Sequence, residues 1–402
     1  MDSLKMELSH SIKRFDLHPV QRKLYSQDLL KIPPVLKRLV KIPVCVVQPE
    51  SEKEVVSVLD FARKHKIPIV PRGAATSAYG GATVLKQCIV VDFTRMNKLE
   101  IENNRAVVES GAVWLDVEKE LNKVGLALRV YPSSAPSSTI GGWIAQGGYG
   151  IGSLKYGGIL ENLEWLEVAD FEGIRKVRKN ELKNFVGLFG STGLIVRACL
   201  SLRKNFEIRS VAVKTNFEKT LELLDGAYHA TFINSELGRM LGCSEDDVLL
   251  LSYEGDPIQE GDGYLGSKMW ESRFDLFRAA RKSEIIFTEA VLPYDSVADF
   301  IEQAGRIPVK VIFTRNEAVV LGIVPVEGYY SAALKALKFI KVAERYGGRT
   351  YASGLLFPHK GLADDEVREY KKRIDPHNLL NPGKAIQANS FSRLIRVAEL
   401  IL

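Results

Sequence analysis

The stretch YPSSAPSSTIGGWIAQGGYGIGSLKYGG (131–158) is rich in glycine and almost free of charge. Eight glycines lie between positions 141 and 158, and Lys155 is the only charged residue of the stretch. A packed helix or strand disfavours this much glycine, because each one costs backbone entropy. A solvated loop would carry more charge. We therefore predict a backbone that turns sharply against a large ligand, offering N–H groups and small hydroxyls to a pyrophosphate or a ring system. A glycine-rich turn in an all-β core is the alternative.

Two further glycine-rich segments flank this stretch along the chain. PRGAATSAYGGA (71–82) follows an apolar strand, and FVGLFGSTGLIV (185–196) runs into one. Thr76 and Ser77 add hydroxyls to the first segment, while Arg72 either neutralises phosphate charge or braces the loop. The pattern matches neither a dinucleotide fingerprint with a downstream acidic residue nor a phosphate-binding P-loop. Loops placed after strands in this way predict a cradle for one extended ligand.

The bulk composition sets broad limits on the protein. A chain of 402 residues predicts two or three domains. A net charge of +6 without blocks of like charge argues against a nucleic-acid role and suits an anionic substrate. The four cysteines lack the spacing of zinc or iron–sulfur sites. With no signal peptide and no apolar run of membrane-spanning length, we expect a cytoplasmic protein.

Local patterns predict α/β structure first and α+β structure later. Ser51 and Glu54 have the spacing of a capping box at the start of a helix. Beyond about residue 204 the glycine clusters end, and strand-like segments alternate with helix-like ones such as EKTLELLDGAYHA (218–230). The final SFSRLIRVAELIL (390–402) has helical apolar spacing, which predicts a helix docked on the body or bound to a partner.

The three glycine clusters, taken in order, resemble the FAD-binding domain of flavoproteins of the vanillyl-alcohol-oxidase or p-cresol-methylhydroxylase type. The entry YSQDL (25–29) with VVQPESEKEVV (46–56), and the closing RIDPHNLLNPGK (373–384), resemble the glycolate-oxidase-subunit and D-lactate-dehydrogenase branch. The resemblance implies an α+β fold. A two-subdomain FAD-binding domain is joined by an α+β substrate (cap) domain, and the C-terminal segment returns to the FAD domain. The expected divisions are an arm (1–43), the FAD-binding domain (44–203), the cap domain (204–348) and the returning segment (349–402).

The same resemblance implies which residues hold FAD. The first two loops would wrap the pyrophosphate and the third would lie along the cofactor. The implied residues are Pro71, Arg72, Gly73, Ala74, Ala75, Thr76, Ser77, Pro132, Ser133, Ser138, Thr139, Gly141, Gly142, Ala145, Gly187, Gly190, Gly193 and Ile195. Relatives that tether FAD through the first loop have histidine where this chain has Thr76, so we expect non-covalent FAD.

The catalytic residues are less clearly marked than the cofactor loops. The segment KSEIIFTEAVLPYDSVADFI (282–301) resembles the family's segment that enters the cap domain. MWESRFDLF (269–277) resembles the helix that precedes this segment. The resemblance places Arg273 near the substrate carboxylate, with a surface arginine on an amphipathic helix as the alternative. Metal-using members carry clustered histidines here, and this chain does not, so we expect no catalytic metal. His359, supported by Tyr351, would instead take the hydroxyl proton.

The implied activity is oxidation of a D-2-hydroxy acid such as lactate or glycolate by hydride transfer to flavin. Dioxygen, a quinone or a partner subunit would accept the electrons, and a homo- or hetero-oligomer is compatible with the sequence. Two other functions stay open: an FAD-binding subunit of a larger dehydrogenase complex, and an oxidase of the same fold for an unrelated alcohol or sugar.

Overall fold

The computed structural model describes residues 7, 9, 11–276, 284–305, 307–361 and 363–401. Several predicted segments extend beyond these residues. They are the arm at its start, the helix 269–277 at its last residue, the segment 282–301 at its first two residues and the C-terminal helix 390–402 at its last residue. The predicted cap domain also includes 277–283 and 306, and the predicted returning segment includes 362 and 402. Those parts of the predictions lie outside the described residues.

In the described ranges, the first half of the chain forms two sheets. The strands are β1 (Phe15–Asp16), β2 (Cys45–Val47), β3 (Ile69–Arg72), β4 (Ile89–Asp92), β5 (Leu99–Glu102), β6 (Arg105–Glu109), β7 (Leu126–Leu128), β8 (Leu163–Asp170), β9 (Gly173–Val177) and β10 (Leu194–Lys204). The helices are α1 (Pro19–Leu24), α2 (Glu52–His65), α3 (Trp114–Asn122), α4 (Ile140–Gln146) and α5 (Ser153–Tyr156). The first sheet has the order β1-β2-β4-β3, with β2 and β3 both parallel to β4. The second sheet has the order β5-β6-β10-β8-β9 and is antiparallel, with β7 paired to β10.

Helix α2 joins these two sheets through a shared apolar core. The helix begins at the position that the capping-box pattern predicts. The Ser51 hydroxyl accepts the Glu54 N–H at 3.4 Å, and the Glu54 carboxylate accepts the Glu50 N–H at 2.9 Å. Its buried face, which includes Val58, packs in one cluster with Val196 of β10 and with strands of the first sheet. The glycine loops that follow β3 are thereby held against the second sheet.

The second half of the chain forms an antiparallel sheet that provides the floor of the site. Its strands are β11 (Ile208–Lys214), β12 (His229–Ile233), β13 (Val248–Glu254), β14 (Ile285–Pro293), β15 (Val309–Phe313), β16 (Glu317–Pro325) and β17 (Arg349–Thr350). The described helices here are α6 (Phe217–Thr220), α7 (Ser235–Leu241), α8 (Gly263–Glu271), α9 (Val297–Ala304) and α10 (Tyr329–Arg345). The strand order is β11-β13-β12-β15-β16-β14-β17. Helices α9 and α10 cover one face with an apolar core. On the opposite face, Leu237 of α7 and Met269 of α8 pack in one cluster with Leu250 and Leu321 of the sheet. The α+β prediction is confirmed.

Two helix predictions in this half are wrong in extent. In the segment 218–230, α6 ends at Thr220, a 3-10 turn follows over Leu221–Leu223, and β12 begins at His229. Gly226, whose φ of 69° lies in the left-handed region, redirects the chain between that turn and β12. In the segment 269–277, α8 ends at Glu271, so Arg273 lies in a turn after the helix.

The C-terminal segment returns to the first sheet after β17, through α11 (Asp365–Ile374) and α12 (Ser390–Ile401). Leu380 forms a parallel bridge with Ile69, so it extends the sheet beside β3. The Asn381 side chain donates to the Gly81 carbonyl at 2.9 Å and to the Phe189 carbonyl at 2.6 Å. One amide therefore ties the first glycine loop to the third.

We expect Asp375→Ala to lower the free energy of unfolding by about 3–5 kcal/mol, the cost of leaving a buried charge unpaired. Asp375 accepts Lys371 Nζ at 2.5 Å and the N–H groups of Leu379 and Leu380 at 2.8 and 2.7 Å. Urea denaturation followed by circular dichroism measures the loss. Glu369→Ala is the matched control, because Glu369 pairs with Lys372 on the same helix with both side chains 71% exposed, and such pairs contribute little. Equal small effects from both variants would contradict this account.

Candidate cofactor and active site

A cavity of about 1160 Å³ lies where the glycine loops meet the third sheet. Ligand pockets commonly hold about 300–1,000 Å³, so this one has room for a large cofactor and a second molecule. Its walls come from stretches within 27–36, 71–82, 132–149, 189–195, 284–289, 329–340, 350–357 and 391–395. Both halves of the chain and the returning segment therefore contribute to one site.

The first two glycine loops touch each other along one wall of the cavity. A Cβ atom at Gly73 would lie 2.0 Å from Thr139 Oγ1, so only glycine permits this approach. Thr139 also caps α4, because its hydroxyl accepts the Gly142 N–H at 3.3 Å. At Gly141 a Cβ would lie 2.3 Å from the Ser110 Cβ atom. The result is a wall of backbone and hydroxyl groups with little side-chain bulk.

The polar groups of this wall fit a phosphate-bearing ligand. Ser138 Oγ is buried, lines the cavity, and lacks a hydrogen-bond partner among the described residues. A buried hydroxyl without a partner is costly unless a ligand or water supplies one. Arg72 lines the same wall, where its Nη1 donates to the Gln27 carbonyl at 3.1 Å and its guanidinium lies 4.7 Å from the Tyr25 ring centre. Of the two roles predicted for Arg72, bracing of the loop is the one that these contacts provide.

Most of the predicted cofactor residues come together in this cavity. Those that line it are Pro71, Arg72, Gly73, Ala74, Ala75, Thr76, Ser77, Pro132, Ser133, Ser138, Thr139, Gly141, Gly142, Ala145, Gly190 and Ile195. Gly187 and Gly193 do not line it. A Cβ at Gly193 would lie 3.0 Å from the Phe185 ring, and Gly187 lies against Gly147 with a φ of 79°. These two glycines shape the packing behind the wall.

Of the three predicted catalytic residues, only Tyr351 lies in the cavity. Its hydroxyl donates to the Tyr149 carbonyl and accepts the Tyr149 N–H, both at 3.0 Å. Burial raises the pKa of Tyr351 well above its ordinary value. The phenol is thus held neutral and fixed in orientation.

His359 and Arg273 lie outside the cavity. His359 Nε2 is 3.4 Å from Glu399 Oε2 of α12. Arg273 packs its guanidinium 4.3 Å from the Trp270 ring centre and 4.4 Å from that of Phe274, and its Nη1 donates to the Trp270 carbonyl at 2.7 Å. Phe274 lines the cavity, so Arg273 is one layer behind it. Their positions give no support to the roles predicted for these two residues.

Glu289 lines the floor of the cavity, and Lys310 lies on the same face of the sheet; neither residue was predicted from the sequence. Glu289 of β14 and Lys310 of β15 are both in register with Leu321 of the intervening strand β16. Side chains in register across an antiparallel sheet point to the same face. Glu289 and Leu321 line the cavity, so this is the cavity face.

Burial brings the pKa values of this pair close together. Desolvation raises the pKa of Glu289 to about 7, although attraction to Lys310 opposes the rise. Desolvation lowers the pKa of Lys310 to about 8, against attraction to Glu289. Both groups therefore titrate near neutral pH. Perturbed groups that face a cavity are candidates for acid–base chemistry.

His229 extends the polar strip along the same floor. Its Nε2 lies 2.8 Å from Thr231 Oγ1, and Thr231 is in register with the cavity-lining Ile312. Burial, with repulsion from Lys310 and Arg273, lowers the pKa of His229 to about 3, so the imidazole is neutral. The feature of the sequence that could have revealed this floor is the presence of charged or polar residues within three otherwise apolar strands, β12, β14 and β15. No cluster of candidate metal ligands occurs among the described residues. Within the same ranges, no helix is long and apolar enough to cross a membrane.

Comparison with known proteins gives further support for an FAD-binding domain in this chain. The model of an FAD-binding domain family matches residues 43–177. A glycolate oxidase subunit from Bacillus subtilis is 25% identical over 95% of this chain and 96% of its own length. A mitochondrial D-lactate dehydrogenase (cytochrome) from Arabidopsis thaliana is 29% identical over 50% of this chain and 38% of its own length. The crystal structure of a p-cresol methylhydroxylase with substrate bound superposes with a TM-score of 0.74 at 12% identity, covering 96% of this chain and 97% of that one. At this identity the superposition concerns the fold alone.

Proposed function

We propose that this chain oxidises a small 2-hydroxy acid of the D-lactate or glycolate class to the 2-oxo acid. The chain belongs to the FAD-binding flavoproteins of the p-cresol-methylhydroxylase type. It is an FAD-linked oxidoreductase. The matched glycolate oxidase subunit and D-lactate dehydrogenase support this substrate class. The observation that carries the proposal is the half-buried pair of Glu289, which lines the cavity, and Lys310, which lies on the same face of the sheet. A 2-hydroxy acid needs both a proton acceptor and a partner for its carboxylate.

FAD would be held by the wall formed by 71–77 and 132–145, where Ser138 offers its unpartnered hydroxyl and Gly73 and Gly142 leave room for the cofactor. Bound there, it would supply the acceptor for the hydride that leaves the substrate carbon. Thr76 occupies the position at which tethered relatives have histidine, so we propose that the cofactor is non-covalent. Denaturing the protein in acid should then release all of its flavin into the supernatant.

Glu289 takes the proton of the substrate hydroxyl in this proposal. Its pKa of about 7 suits a general base, because about half of the carboxyl groups are ionised at neutral pH and the carboxylate still accepts a proton readily. Lys310, in its protonated form, attracts the carboxylate. Tyr351 is a fixed neutral hydroxyl beside Glu289, whose charge helps to raise the Tyr351 pKa. Glu289 would hold the O–H proton, and bound FAD would supply the acceptor for the C–H hydride, so that oxidation of the alcohol to the carbonyl would balance.

The test is the visible spectrum of the purified protein, recorded anaerobically before and after addition of D-lactate or glycolate, with L-lactate as the control. Bleaching of the flavin bands by one of the first two acids supports the proposal. Reoxidation by air and by a soluble quinone then identifies the class of acceptor. Flavin that stays oxidised with every acid would instead favour a subunit of a larger complex or a substrate of another class.

We expect the rate of flavin reduction to depend on pH as a bell-shaped curve. The base must be ionised, so the rate rises through about pH 7, where Glu289 loses its proton. The cation must be protonated, so the rate falls above about pH 8, where Lys310 loses its own. Stopped-flow absorbance at saturating substrate measures both limbs. A profile that is flat across neutral pH would remove the pair from the reaction.

A further inference from the structure

The cavity reaches the protein surface between the arm, α10 and α12. Lys31 and Leu394 line the cavity and are also exposed to solvent. The three elements are joined at this point, since the Tyr329 hydroxyl donates to the Lys31 carbonyl at 2.5 Å. Phe391 of α12 is buried in one apolar cluster with Ile32 of the arm. We call the exposed face of these elements the mouth surface.

Apolar side chains are exposed on all three elements of the mouth surface. They are Val35 (49% exposed), Tyr330 (62%), Leu334 (44%), Leu394 (47%), Val397 (57%) and Leu400 (88%). Polar contacts on the inner side of α12 fix the orientation of this helix. Lys341 of α10 donates to the Glu399 carbonyl at 2.5 Å, and Lys360 Nζ lies 2.6 Å from Glu399 Oε1. Helix α12 is thus held with its apolar outer face turned to solvent.

Cations surround these apolar side chains. The exposed ones are Lys31, Lys37, Arg38 and Lys41 of the arm, Lys335 and Lys338 of α10, and Arg393 and Arg396 of α12. Among the residues that the structure describes, none of these eight forms an ion pair with a carboxylate. Glu327 is an exposed carboxylate close by in sequence, while Glu344 and Glu399 are paired with Lys360. The mouth surface therefore combines apolar area with a large excess of positive charge.

We propose that the mouth surface docks on an anionic lipid bilayer, so that the cavity opens towards the lipid. A helix with aliphatic and cationic residues on its outer face is the arrangement that binds a bilayer interface, and anionic lipid attracts each added lysine or arginine. A protein interface is the less suitable alternative. Lysine is depleted at such interfaces, and their binding energy centres on aromatic anchors, whereas five of the eight cations here are lysines and Tyr330 is the one aromatic among the six apolar residues.

The inner lining of the cavity agrees with this orientation. From the mouth inward, the walls carry Leu36, Leu337, Ile340, Phe391 and Ile395. An apolar molecule dissolved in the bilayer would thus enter along an apolar surface. The docking itself depends only on the outer face, so it does not rest on the proposed oxidation.

The experiment is co-sedimentation of the full chain with vesicles. Vesicles of phosphatidylcholine alone are compared with vesicles that also contain anionic phosphatidylglycerol, at low and high salt. We expect binding to the anionic vesicles that weakens as salt rises. Arg393→Glu combined with Arg396→Glu should weaken partitioning at least about tenfold. Val397→Glu combined with Leu400→Glu should also weaken it, because the apolar contact is lost.

The matched control replaces exposed apolar residues elsewhere. Ile258 (65% exposed) and Tyr264 (82%) lie away from the cavity walls, and Ile258→Glu with Tyr264→Glu should bind vesicles as the parent does. Circular dichroism melting confirms that each variant is folded. No binding to anionic vesicles, or equal losses in the control, would overturn the proposal. A stable dimer in light scattering that the Val397→Glu, Leu400→Glu variant abolishes would assign the surface to a second copy of the chain instead.

Discussion

Replacing Glu289 by glutamine is expected to lower the rate of flavin reduction by the 2-hydroxy acid about 10²–10⁴-fold, the usual contribution of a general base. Glutamine keeps the size and hydrogen-bonding capacity of the side chain but cannot accept the proton. The FAD content should not change, because Glu289 belongs to the sheet and not to the glycine loops that are proposed to hold the cofactor. Single-turnover reduction under anaerobic conditions measures the chemical step directly.

The pH profile separates this role from a structural one. In the Glu289→Gln variant the residual rate should lose its acid limb near pH 7, since the group that titrates there has been removed. A residue that only supported the fold would lower the rate without changing the shape of the profile. Glu302→Gln, on the exposed face of α9, is the control and should behave as the parent. An unchanged rate with the acid limb intact would remove Glu289 from the proton transfer.

The second large effect is expected from Gly142→Val, which should give folded protein that purifies without flavin. Gly142 lies in the first turn of α4 and faces the cavity. A Cβ there would lie 2.9 Å from Thr139 Oγ1 and, beyond its chain neighbours and the helix backbone, within 4 Å of no other atom, so the shift that the protein itself must make is confined to the Thr139 side chain. The two further methyl carbons of valine would occupy space that the cofactor needs. Absorbance of the purified protein, with and without added FAD, measures the loss.

The choice of glycine matters for this test. Gly141→Val is unsuitable, because its Cβ would lie 2.3 Å from Ser110 and the variant would disturb the core. Gly263 is the matched control, since it also lies in the first turn of a helix and has no atom within 4 Å of a Cβ position. Gly263→Val should keep its full FAD. If Gly142→Val keeps it as well, the second loop is not part of the cofactor site.

The sequence was most informative where function constrains the backbone. The close approach of Gly73 to Thr139, and of Gly190 to Pro71, leaves no room for a side chain, so both positions appear in the sequence as glycine. Such constraints depend on local geometry and can be inferred from a short window of sequence. The same inference also assigned Gly187 and Gly193 to the cofactor, although neither lines the cavity. A glycine that packing requires cannot be distinguished in sequence from one that a ligand requires.

The charged residues of the floor were hidden because their placement depends on strand register. Glu289 and Lys310 are far from the glycine loops in sequence and lie on one face of the sheet because both are in register with Leu321. A shift of one residue in either strand would turn that side chain to the opposite face. The arm was missed for a related reason: its residues 27–36 join the cavity wall through contacts with the first loop and with α10. Long-range pairing of this kind leaves no local pattern.

The bridge between Ile69 and Leu380 has a consequence for the synthesis of the protein. The Ile69 N–H donates to the Leu379 carbonyl at 2.7 Å, so this edge of the first sheet is completed by residues made 310 positions later. At about 5–20 residues per second, translation would leave that edge without its partner for roughly 15–60 s. An unpaired strand edge invites association with other chains. The nascent protein therefore passes through an interval in which this strand edge is open to pairing with other chains.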